Sequence, residues 1–153
     1  MDNNAKSLIK FTSKIYRCTQ WYLDRKLEKF HLSAGTYPYL LTLNNNEGIC
    51  QNQISRELNV DKAMSARTIK KLIEIGYIRK EEDKEDVRAY KLYITDEGKS
   101  VVPKIHKIID EWIEILIEDS SNEEINTSIN FLKKVLNNGK KHKEKCCEGM
   151  KKN

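Results

Sequence analysis

The clearest helical pattern in the chain lies in residues 51–76, which read QNQISRELNVDKAMSARTIKKLIEIG. Apolar spacing predicts a short helix over about 51–58 and a second helix over about 62–75. Asp61 is a good N-cap for the second helix, and Gly76 stands where helices often end in a left-handed residue. A short helix, a tight turn and a longer helix form a helix-turn-helix.

The second of these helices divides into an apolar side and a basic side. Its apolar side is expected to face a core and carries Met64, Thr68, Ile69, Leu72 and Ile73. The other side carries Lys62, Ser65, Ala66, Arg67 and Lys70. Residues 50–80 hold seven Lys or Arg against three Asp or Glu, so this segment supplies much of the net charge of +5. A basic block in a folded region favours contact with phosphate.

The hydrophobic period changes from helix to strand after Gly76. Residues 77–80 read as a strand, and residues 90–94 alternate, with Tyr90, Leu92 and Ile94 on one face. The segment between the two strands is highly charged. The pattern predicts a two-stranded hairpin with an extended polar tip, which we call the wing.

Long helices flank this central region on both sides. The first is predicted over about residues 4–30, and Thr95 caps another long helix with a broad apolar surface. Ser121 with Glu124 has the spacing of a capping box for the last helix. Its stripe consists of Ile125, Ile129, Leu132 and Leu136. These helices carry more apolar surface than a small domain covers, which favours a two-fold partner; a monomer with a larger helical core is the alternative.

Composition restricts the class of protein. With 153 residues and 39% hydrophobic residues, the chain is long enough for one domain with a core. Apolar runs of roughly 18 residues, which span membranes, are absent, and the first residues lack the apolar core of a signal peptide, so a cytoplasmic protein is expected. The sequence shows neither a nucleophile–histidine spacing nor a Gly-rich phosphate loop, so we expect neither an enzyme nor a cofactor.

The order of elements and several short motifs resemble the MarR family of bacterial transcription regulators. The resemblance extends over about residues 5–140. The motifs are Gln53–Leu58 and Val60–Arg67 in the two central helices, Leu72–Ile78 at the exit of the second, Asp83–Ala89 in the wing and Leu92–Gly98 after it. The fold class expected is mostly α with a small β-hairpin: a winged helix-turn-helix between N- and C-terminal dimerisation helices.

The resemblance implies a domain organisation. It gives an N-terminal dimerisation helix in 1–32, a DNA-binding region in 33–98, C-terminal dimerisation helices in 99–140 and a flexible basic tail in 141–153. It also implies a homodimer that binds a pseudo-palindromic operator, most often as a repressor, and that an effector releases.

The resemblance further implies which residues contact double-stranded DNA. Residues 62–70 enter the major groove, and Arg88 enters the minor groove with Asp86 orienting its guanidinium; an ordinary exposed ion pair is the alternative for these two. Ala63, Met64 and Ala66 depart from the family, where polar residues are common. The predicted DNA-binding residues are Gln51, Lys62, Ala63, Ser65, Ala66, Arg67, Lys70, Lys84, Asp86 and Arg88.

Other signals in the sequence are weaker. By resemblance, Trp21, Tyr22, Tyr39 and Trp112 could line an effector pocket, although core and interface packing also explains aromatic residues. Cys18 is a candidate redox sensor or simply a buried small residue. His142, Cys146 and Cys147 are candidate ligands in the tail, but no metal site is predicted. The alternative function is a thiol-based redox sensor or a protein-interaction module without DNA binding.

Overall fold

The computed structural model describes the backbone of residues 3–82 and 90–150, and the side chains of residues 4–82 and 90–146. These parts form two compact units, and the second begins at Ile113. The helices are α1 (Asn3–Leu27), α2 (Tyr37–Asn45), α3 (Gln51–Glu57), α4 (Lys62–Ile75), α5 (Asp96–Leu116) and α6 (Asn122–Met150), with one turn of 3-10 helix at Glu28–Phe30. The strands are β1 (Ile78–Glu82) and β2 (Tyr90–Ile94).

The core of the first unit is assembled from one apolar face of each element. α1 contributes its C-terminal half, α2 most of its length, and α5 its first three turns. The buried apolar residues are Tyr22, Leu23, Leu27, Leu32, Tyr39, Leu40, Leu43, Ile54, Ile69, Leu72, Tyr77, Ile78, Leu92, Ile94, Val101, Val102, Ile105 and Ile108. The faces of β2 are as predicted, with Leu92 and Ile94 buried.

The predicted helix caps are present. The Met64 N–H donates to Asp61 Oδ1 at 2.8 Å at the start of α4, and Gly76 closes the helix with φ of 91°. The Gly98 N–H donates to Thr95 Oγ1 at 3.0 Å at the start of α5. These side-chain acceptors satisfy N–H groups that have no partner within the helix.

The second unit contains the end of α5 and all of α6. Asp119 turns the chain with φ of 60°. The Ser121 N–H donates to Glu124 Oε2 at 2.8 Å and the Glu124 N–H donates to Ser121 Oγ at 3.3 Å, so the predicted capping box forms. These hydrogen bonds favour the ionised carboxylate and lower the pKa of Glu124.

Three boundaries differ from the sequence predictions. The first helix does not continue as an α-helix to residue 30, because the chain tightens into the 3-10 turn and His31 takes a left-handed φ of 57°. β1 extends to Glu82. α6 continues to Met150, so residues 141–150 are helical where a flexible tail was predicted. Lys and Glu are good helix formers, which accounts for the continuation.

The wing hairpin is joined to the segment that leads into α3. β1 and β2 pair antiparallel from Ile78 with Ile94 to Glu82 with Tyr90. Beyond this pairing, the Gly48 N–H donates to the Leu92 carbonyl at 2.9 Å, and the Leu92 N–H donates to the Ile49 carbonyl at 3.0 Å. Strand β2 therefore hydrogen-bonds on both of its edges.

Candidate nucleic-acid interface

Side-chain and backbone hydrogen bonds fix the helix-turn-helix formed by α3 and α4. Asn59 takes a left-handed φ of 54° in the turn, and the Val60 N–H donates to the Ser55 carbonyl at 3.0 Å. Gln51 Nε2 donates to the Lys62 carbonyl at 3.1 Å, which ties the start of α3 to the start of α4. The amide of Gln51, a predicted DNA contact, thus supports the turn.

α4 presents a basic surface to solvent. Its residues Ser65, Ile69 and Leu72 are buried. Residues 62–73 include no Asp or Glu, and the first carboxylate, Glu74, lies 3.9 Å from Lys70 Nζ. The exposed side chains between 62 and 71 are Lys62, Ala63, Met64, Ala66, Arg67, Lys70 and Lys71.

The predicted positions of Ser65 and Met64 are reversed in the structure. Ser65 was placed on the basic outer side, but it is fully buried, and within the described residues its hydroxyl has no hydrogen-bond partner. Met64 was placed towards the core, but its side chain is 46% exposed. Buried Ile69 and Leu72 follow Ser65 at the i+4 and i+7 positions, so all three share one face of α4. Ser65 is therefore a packing residue.

Strand β1 of the wing carries two cations, and one of them, Lys80, lines a cleft beside α4. Lys80 Nζ lies 4.7 Å from the centre of the Tyr90 ring, across the hairpin. Arg79 forms an ion pair with Glu81. The predicted contacts Lys84, Asp86 and Arg88 lie in residues 83–89, outside the described residues, so their predicted roles stay predictions.

A cleft lies between α3, α4 and the strands of the wing, and sequence reasoning missed it. Its volume is about 770 Å³. Periodicity indicates which face of one helix is apolar, but not how much space remains where three elements meet. The cleft is lined by Cys50, Gln51, Asn52, Ala66, Ile69, Lys70, Ile73, Glu74, Lys80, Tyr90 and Leu92.

The structure brings together two of the four aromatic residues predicted to line an effector pocket. Tyr22 and Trp112 stack with ring centres 4.5 Å apart, and Trp112 Nε1 donates to Thr19 Oγ1 at 2.9 Å. Tyr39 is buried in the core, whereas Trp21 is 60% exposed and stacks with Arg25. Tyr22, Trp112 and Tyr39 thus pack in or against the core. Effector binding by the four aromatic residues stays a prediction.

The residues predicted as candidates for redox or metal chemistry lie on two different helices. Cys18 is exposed on α1, so it is not the buried small residue that was its alternative. His142 Nε2 lies 3.6 Å from Cys146 Sγ on α6. A structural zinc site takes four ligands, and no group of three or more His, Cys, Asp or Glu suited to a metal ion occurs among the described residues.

Comparison with known proteins identifies the family. The sequence model of the protein family described as "MarR family" matches residues 32–90 of this chain. The HTH-type transcriptional regulator BilQ from Clostridioides difficile (strain CD3) is 36% identical over 103 residues, which are 67% of this chain and 70% of that protein. The chain belongs to the MarR family. The resemblance to the MarR family predicted from the sequence is confirmed. Because this family consists of transcription regulators, the prediction that the chain is not an enzyme is confirmed as well.

Solved structures of MarR proteins share this fold. A MarR transcriptional regulator from Methanosarcina mazei Go1 matches with a TM-score of 0.82 and 34% identity over 89% of this chain and 98% of that chain. A regulator assigned to the MarR family from Listeria monocytogenes, complexed with a 26mer DNA, matches with a TM-score of 0.79 and 25% identity over 85% and 87% of the two chains. The winged helix-turn-helix fold class is confirmed. In the described part of this MarR chain, each helix is too short or too polar to cross a bilayer.

Proposed function

We propose that this MarR regulator binds a pseudo-palindromic operator as a homodimer and acts as a repressor that an effector releases. The observation that carries the proposal is the exposed face of α4. Lys62, Arg67, Lys70 and Lys71 lie there, and residues 62–73 include no carboxylate. A helix with this charge suits the major groove between two phosphate backbones. The Listeria relative's complex with DNA supports the same assignment.

The homodimer is supported by exposed apolar side chains in both units. On α1, Ile9 is 71% exposed, Phe11 57% and Ile15 53%. On α6, Phe131 is 52% exposed and Leu136 54%. Clustered, solvent-exposed apolar side chains mark an interaction surface, and a second copy related by two-fold symmetry would cover the same residues in both chains.

DNA binding and dimerisation are tested together on the full chain. Sedimentation at micromolar concentration is expected to give twice the mass of the 17.9 kDa chain. Footprinting on the DNA upstream of the protein's own gene should show two protected half-sites about one helical turn apart, and affinity should fall steeply as salt rises. A monomer, or binding with no sequence preference, would contradict the proposal.

The wing contact is tested by Arg88→Ala. We propose that Arg88 inserts into the minor groove and that Asp86 orients it, as the resemblance implies. Loss of such a contact should weaken operator binding by roughly 1–3 kcal/mol per half-site, about fivefold to 150-fold for each. A narrow, A·T-rich minor groove favours insertion of an arginine. The loss of affinity caused by Arg88→Ala should therefore be smaller on an operator in which the A·T pairs contacted by the wing are replaced by G·C pairs. An equal loss on both operators would identify Arg88 as a phosphate contact instead.

A thiol-based sensor is the second candidate function, and one observation favours it. Cys18 is exposed in the single chain on α1, a helix of the proposed dimer interface. Oxidation there would act on the spacing of the two DNA-binding regions. This function adds to DNA binding and does not replace it.

A further inference from the structure

The exposed surface of α4 contains only two kinds of side chain between residues 62 and 71. The lysines and Arg67 are cationic, whereas Ala63, Met64 and Ala66 are apolar. The hydroxyl of Ser65 is buried, and Thr68 is half-buried. The exposed set therefore includes no neutral hydroxyl or amide that could hydrogen-bond to a base edge.

The neighbouring polar groups are already engaged. Gln51 Nε2 donates to the Lys62 carbonyl, and Asp61 Oδ1 accepts the Met64 N–H. Bidentate recognition of adenine requires an Asn or Gln side chain. Along these residues of α4, Arg67 is the one exposed side chain whose planar group can bind guanine in that way. Apart from the lysines, the remaining exposed side chains are the apolar Ala63, Met64 and Ala66.

Resting on the proposed DNA-binding function, we propose that α4 recognises thymine through its C5-methyl group, with Met64 as the specificity-determining contact. The methyl group is the apolar feature of thymine in the major groove. Met64 is the third residue of α4 and is 46% exposed, and the N-terminal residues of a recognition helix are the ones that reach base edges. Its flexible thioether chain adapts to a methyl group.

Charge complementarity identifies the occupant of this apolar surface as DNA. Lys62, Arg67, Lys70 and Lys71 alternate with Ala63, Met64 and Ala66 on the exposed side of the same helix. Two phosphate backbones flank the base edges in the major groove, so a helix face that mixes cations with apolar side chains matches that groove. An apolar protein partner would leave these cations without counter-charges.

The test removes single methyl groups from the DNA. A duplex selected by the full chain from a randomised pool is synthesised with uracil in place of thymine, one position at a time. Uracil keeps every hydrogen-bonding group and lacks only the methyl. A buried methyl is worth about 0.8 kcal/mol, so we expect about fourfold weaker binding at one or more thymines of each half-site.

Two variants assign that effect to Met64. Met64→Ser should abolish the uracil penalty at one thymine per half-site, and Met64→Leu, which keeps an apolar side chain, should retain it. Circular dichroism checks that both variants fold. Equal affinity for all thymine and uracil duplexes would overturn the inference, as would an unchanged penalty in Met64→Ser. If the wild-type chain selects no sequence, the proposed function itself fails.

Discussion

Replacing Gly98 by alanine is expected to destabilise the protein by about 2–3 kcal/mol, towards the upper end of the usual cost of overpacking. Gly98 is buried in the first turn of α5. A Cβ atom there would clash with the Tyr77 carbonyl oxygen and lie 2.8 Å from Ile94 Cγ1. That carbonyl accepts the Thr95 N–H at 3.0 Å, so it cannot withdraw without loss of a hydrogen bond. The clash outweighs the gain of about 1 kcal/mol in helix propensity.

Gly139→Ala is the matched control, since it makes the same change in α6. A Cβ atom at Gly139 meets nothing within 4 Å. Only the propensity gain remains, so this variant should be unchanged or more stable by up to about 1 kcal/mol. Urea unfolding at a fixed protein concentration measures both variants. Equal stabilities for the two would show that the junction of Tyr77 and α5 is not tightly packed.

Replacing Arg67 by alanine should weaken operator binding by roughly 1–3 kcal/mol per half-site, about fivefold to 150-fold. Arg67 is exposed on α4 two positions beyond buried Ser65, and residues 62–73 include no carboxylate that would neutralise it. If its guanidinium binds a base, the variant should also lose discrimination at one position of the half-site. The measurement is affinity for the selected operator and for its single-base variants at fixed salt.

Lys107→Ala is the control for loss of charge, because it removes one exposed cation from α5. It should leave affinity for the operator nearly unchanged. Stability of the Arg67 variant should also stay within about 0.5 kcal/mol of the wild type, as for most surface substitutions. Arg67 would instead be a phosphate contact if the variant bound all DNA sequences more weakly by the same factor and the slope of log affinity against log salt concentration became smaller by about one.

Local signals in the sequence predicted much of the fold. The caps at Asp61 and Thr95 and the left-handed Gly76 depend on nearby residues alone, and the structure has all three. The start and end of α4 also agree with the prediction. The burial of Gly98 could not be inferred in this way, because the carbonyl that excludes its side chain belongs to Tyr77, on the other side of the hairpin.

The candidate site was harder to predict from the sequence than the fold. Hydrophobicity placed Met64 inside and Ser65 outside, but the structure reverses them. A small side chain allows close approach of packed helices whatever its polarity, and a thioether tolerates exposure, so periodicity alone misassigns this pair. The Gln51 hydrogen bond to Lys62 and the cleft beside α4 depend on the contact between α3 and α4, which no pattern within one helix reports.

The hydrogen bonds that join Leu92 to Gly48 and Ile49 have a consequence for signalling. The wing, the entry to α3 and, through Gln51, the start of α4 form one continuous hydrogen-bonded framework. We therefore expect a displacement of the wing strands to move α4 as well. In the proposed homodimer, an effector that changed the distance between the two DNA-binding regions would move each framework as a unit, and we expect an operator with altered half-site spacing to weaken binding in the same way.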